Sequence, residues 1–151
     1  GGDGELAEGA GAAYLLEEPS LQGDVESVSA AVGGAQWLAL HAGSEHAHAP
    51  YLLLGSLSGI EPGLPLDAEH TLPLEPDAYF LHTLAHPNAP PIEGGFGLLD
   101  AAGEAQALVG IHAGTELLLP ELTLHHAFVV LSPLAEALFV SDPVALQVVQ
   151  E

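Results

Sequence analysis

The chain has 151 residues with 21 Asp or Glu and neither Lys nor Arg, so its formal net charge at pH 7 is −21. Hydrophobic types still make up 48%, which excludes a disordered acidic tail, and the length suits one domain burying roughly two-thirds of its unfolded surface. Without a cation the chain has nothing to displace counterions from nucleic acid, clamp a phosphate, form a Schiff base or attract an anionic lipid surface.

A globular chain ordinarily takes about a quarter of its residues from charged types, nearly half of them basic, so the missing Lys and Arg are not a chance outcome. Cys is absent, which removes disulfides and thiolate metal ligands. Met is absent even at position 1, so a processed product, an engineered chain or a sequence obtained by a route other than a gene is expected. No run reaches the ~18 uninterrupted apolar residues of a membrane-spanning helix, and no membrane span is expected.

In chain order, residues 1–11 are too rich in glycine to hold a fixed structure alone and read as a flexible arm. From residue 12 to residue 151, short apolar runs alternate with Gly, Pro and Asp, the spacing of an all-β domain. Strands are predicted over residues 12–16, 25–29, 36–42, 51–54, 78–85, 95–99, 105–111, 122–131, 137–141 and 144–149. No stretch keeps a 3.6-residue apolar period over three turns, so helix is expected to be minor, with one turn at residues 134–137. Leu38 and Leu40 share a strand face opposite Trp37 and His41. The run from Asp100 to Gly103 is a hairpin signal, because Asp bonds nearby amides and Gly accepts positive φ. The apolar run from Ala127 to Leu131 reads as a central strand covered on both faces. Together these features predict an antiparallel β-sandwich of Greek-key or jelly-roll type behind the arm.

The candidate metal ligands are His46 and His48, which point the same way on an extended chain and could share a Zn²⁺ or Cu²⁺ with His41 or Glu45. The plainer reading is a histidine-rich polar loop between strands. Ca²⁺ at Asp100 and Glu104 stands against a solvated hairpin tip, and no other cofactor is expected. His125 and His126 are adjacent in an apolar strand, so their rings leave opposite faces. At least one is expected to be a buried neutral imidazole bonded to backbone or hydroxyl, and His82 reads as a packing residue as well. The segment from Gly55 to Gly59 has Leu57 where a nucleophile elbow has its Ser, so serine hydrolase chemistry is not expected.

Five segments in order carry a resemblance: Tyr51 to Gly59 (YLLLGSLSG), Thr83 to Pro91 (TLAHPNAPP), Gly97 to Gly103 (GLLDAAG), Leu124 to Leu131 (LHHAFVVL) and Ser141 to Val144 (SDPV). Over about residues 25–149 the chain resembles an uncharacterised β-rich domain that recurs in bacterial secreted and cell-surface proteins. The resemblance implies an extracellular module and carries no catalytic residue. The chain departs from it at His86 and Asp142, where that domain favours Asn, and in having only four Thr.

The expected function is therefore a non-enzymatic extracellular structural module, a homo-oligomer or homopolymer subunit of a fibre or surface assembly. The alternative is a carbohydrate- or metal-binding extracellular module. Residues 6–16 could add a strand to a neighbour's open edge, with Ala12, Tyr14 and Leu16 on one face, or residues 12–16 could pair within their own sheet.

Overall fold

The computed structural model describes residues 19–114 and 121–149. Its elements are β1 (Leu21–Gly23), β2 (Ser27–Ser29), β3 (Gly34–His41), β4 (Pro50–Ser56), β5 (Leu64–Pro65), β6 (Thr71–Leu72), α1 (Ala78–Ala85), β7 (Ile92–Glu93), β8 (Phe96–Leu98), β9 (Glu104–Ile111), β10 (Glu121–Leu131), β11 (Ala137–Val140) and β12 (Val144–Val149). The smaller sheet runs β1-β3-β9-β7, and the larger runs β2-β12-β10-β4-β8 with β11 also paired to β10. Every ladder is antiparallel except β2 against β12.

Alternation decides what lies between the sheets. In β3, Gln36, Leu38 and Leu40 face inward, and the register sets Leu38 opposite Ala107 and Leu40 opposite Ala105 on β9. From the larger sheet, Tyr51, Leu53, Leu124, Phe128, Val130, Leu146 and Val148 meet them to form the main core. The intervening residues of the larger sheet point outward, where Leu54, Ala127 and Val129 join Leu72, Leu74 and Phe80 in a second core. The central strand β10 is thus covered on both faces, as its unbroken apolar run requires. Gln36 is fully buried and ties the sheets together, its side-chain amide donating to the Val25 carbonyl (2.8 Å) and the Ala145 carbonyl (3.3 Å).

The all-β sandwich expectation holds, and eight of the ten predicted strands overlap observed ones. Residues 78–85 are a correction: they form α1, not a strand. Asp77 caps the helix by accepting the Phe80 amide (2.9 Å), and Pro87 stops it two residues past its end. Residues 134–137 form no helical turn; they close the β10–β11 hairpin, where Ser132 Oγ accepts the Leu134 and Glu136 amides (both 3.1 Å). The short strands β1, β5, β6 and β7 were not expected, because two or three residues are too few to show alternation. The arm at residues 1–11 and the strand predicted at residues 12–16 lie outside the described residues.

Candidate functional site

Helix α1 closes one end of the larger sheet through three polar fixings. Asp77 Oδ2 accepts the amides of Leu57 (2.9 Å) and Ser58 (2.8 Å) and the Ser58 hydroxyl (2.8 Å), so the cap residue also holds the loop after β4. Desolvation works to raise the Asp77 pKa, but these bonds and the one from Phe80 together outweigh it and hold the carboxyl below its ordinary value. Thr83 Oγ1 accepts the Gly55 amide (3.1 Å) and donates to the Phe80 carbonyl (2.8 Å). Tyr79 Oη lies 2.7 Å from His126 Nε2. A Cβ at Gly55 would collide with the Tyr79 ring and come within 2.9 Å of His126 Cδ2, so only glycine leaves room for this pair. Burial, and secondarily the charge of His125, push His126 down to about 3, and burial pushes the Tyr79 hydroxyl up.

The candidate site opens beside this helix, on the outer face of the larger sheet. Leu64 and Leu72 sit opposite each other in the β5–β6 hairpin and roof the sheet residues Leu52, Leu54 and Val129. The hairpin tip is fixed by Asp67, whose Oδ1 accepts the amides of Glu69 and His70 (both 2.8 Å) and lies 3.0 Å from His70 Nδ1. The Glu69 amide, then the ring and amide of His70, hold the Asp67 carboxyl below its usual value against desolvation. Between hairpin, α1 and β11 runs a groove of about 710 Å³ with a leucine and phenylalanine floor and Asp67, Glu69 and Glu136 on its rim. Leu66, Leu84 and Leu138 line it and remain exposed to solvent. Such a groove offers apolar area to a partner and acceptor oxygens at its lip.

Residues 44–46 form a 3₁₀ turn, so the two-residue spacing of an extended chain does not apply to His46 and His48. His41 Nδ1 donates to Glu104 Oε2 (3.2 Å) across the β3–β9 ladder, His46 packs its ring against Phe139 (5.6 Å), and His48 has φ 65. Among the described residues no three His, Asp or Glu are close enough together to hold a metal ion. Asp100 forms the expected hairpin tip, its Oδ1 accepting the amides of Ala102 and Glu104 (both 2.9 Å). Ser56 is fully buried with its hydroxyl donating to the Glu75 carbonyl (2.7 Å). His126 is the buried imidazole expected of the pair, and His125 on the other face is half-buried. His82 Nε2 donates to the Pro90 carbonyl (2.8 Å), on a helix and not a strand.

Sequence reasoning missed the groove, because its walls come from four separated segments. One signal was available at Asp77: a capping residue after Pro76, with Phe80, Thr83 and Leu84 at helical spacing. No family model matches this chain, and no curated protein matches it.

Proposed function

We propose that the chain is a non-enzymatic extracellular structural module that associates with copies of itself, as a subunit of a fibre or surface assembly. The observation that carries this reading is an apolar row across the outer face of the larger sheet. It runs from Phe96 on β8 to Leu52, Val129 and Val140, each opposite the next in the ladders. At one end Phe96 and Leu98 are 48% and 68% exposed on an edge strand, and Leu52 and Val129 in the middle line the groove. Natural sheets commonly guard such edges with lysine, and this chain has none. The exposed apolar side chains at that edge and along the groove favour association, and the five-motif resemblance supports an extracellular setting. Light scattering and electron microscopy of the full chain from pH 8 to 5, with and without Ca²⁺, test it. Growth into ordered polymers is expected; a chain that stays monomeric throughout overturns the reading.

A specific observation favours carbohydrate binding as the second reading. Trp37 is 52% exposed on the open face of the smaller sheet, beside a cleft of about 310 Å³ lined by Gln22, Asp24 and Gln106. An indole plane flanked by amide and carboxylate groups suits the apolar face and hydroxyls of a sugar. Quenching of the single tryptophan's fluorescence by a glycan, lost in Trp37→Ala, would establish it, and a glycan array with no hits would remove it.

A further inference from the structure

We propose that the groove receives residues 12–16, Ala-Ala-Tyr-Leu-Leu, of a neighbouring copy, laid along the open side of β11 so that subunits join head to tail. This rests on the self-association reading and names its contact. β11 has a ladder partner on one side only among the described residues, leaving its other edge free to pair. A slot of about 410 Å³ between that edge and Thr71 of β6 continues into the groove, the two sharing Glu69, His70 and Leu138. The five residues carry no charge and span ~17 Å when extended. Leucines suit the groove floor, and the Tyr14 hydroxyl suits the carboxylates of the rim.

The carboxylates of the slot bear on whether the segment is a neighbour's or the chain's own. The described chain starts beside the slot, with Ser20 Oγ accepting the Asp142 amide (2.8 Å) and donating to Asp142 Oδ2 (3.2 Å). The chain's own segment would therefore enter through the slot and lay Glu17 and Glu18 beside Glu69 and Asp142, with no Lys or Arg to offset them. A neighbour's segment can enter from the end beside α1 and leave both glutamates outside. A contact of this kind joins two different patches, so it propagates instead of closing on itself.

The chain has no cysteine, which makes disulfide trapping clean. Two full-length single variants, Leu16→Cys with an isotope label and one of Leu66→Cys, Leu84→Cys or Leu138→Cys without it, are mixed under assembly conditions and oxidised. A mixed disulfide is expected for at least one rim position and for none when the partner is Trp37→Cys, on the opposite sheet. A double variant with Leu16→Cys and Leu138→Cys that closes only within one chain overturns the proposal in favour of the chain's own segment. Assembly without any mixed disulfide also overturns it and leaves self-association standing; absence of assembly removes both. As a second readout, Leu15→Asp with Leu16→Asp is expected to reduce assembly at least tenfold while leaving the unfolding midpoint unchanged. An unchanged assembly yield contradicts the proposal.

Discussion

At His126 the strand buries an imidazole completely, with Tyr79 on one ring nitrogen and no hydrogen-bond partner among the described residues on the other. The native ring stays neutral down to about pH 3, whereas an unfolded histidine takes its proton near pH 6.5. Between those values the unfolded state binds more protons, so His126 contributes full stability above about pH 6.5 and loses it progressively toward pH 3. The loss amounts to a few kcal/mol at the acid end. Urea unfolding midpoints from pH 7 to 4 are expected to fall, and the fall is expected to be shallower in His126→Gln. Gly55→Ala tests the same pair by filling the space above it; a loss of roughly 1–3 kcal/mol is expected, typical of overpacking.

Among the elements, α1 depends on one carboxylate. Asp77 accepts bonds from Phe80, Leu57 and Ser58, so Asp77→Ala releases both the first turn of the helix and the loop after β4. A loss of about 2–3 kcal/mol is expected, measured by denaturant midpoint at pH 7. Because its native pKa is lowered, Asp77 supports the fold above its unfolded value near 4 and ceases to do so as pH falls through the native value. The edge strand β8 behaves differently, since Phe96 and Leu98 contribute little to the core. Phe96→Lys with Leu98→Lys is expected to change stability by less than about 0.5 kcal/mol and to suppress association, read by sedimentation velocity.

For the whole molecule, a net charge of −21 opposes every contact between copies, and no Lys–carboxylate or Arg–carboxylate bridge can form in any interface. In the proposed assembly, contacts between copies are therefore expected to be mainly apolar and backbone-mediated, and screening is expected to promote them. Raising ionic strength from about 0.01 M to 0.15 M shortens the Debye length from ~30 Å to ~8 Å. Association measured by static light scattering at pH 8 is expected to increase across that range, and further with millimolar Ca²⁺. Insensitivity to both would mean that charge does not control assembly.

Periodicity and turn chemistry made the sandwich legible: the parity of Leu38 and Leu40, the two-sided apolar run in β10 and the Asp100 turn all depend on neighbours in sequence. That His125 or His126 would be a buried imidazole was legible for the same reason, but not which of the two, since the strand is apolar on both faces. What failed did so where local signals were short or partners distant. Helix α1 is two turns long, less than the period needs to declare itself, and its stability comes from Asp77 gripping a loop nineteen and twenty positions earlier. At His46 and His48 the spacing presumed an extended chain, whereas residues 44–46 form a 3₁₀ turn that breaks the alternation. The sequence by itself determined charge, strand content and the inward faces, because composition and alternation act residue by residue. Only the tertiary structure decided that β5, β6, α1 and β11 converge over one sheet face, because the groove between them exists only once segments far apart in the chain have packed together.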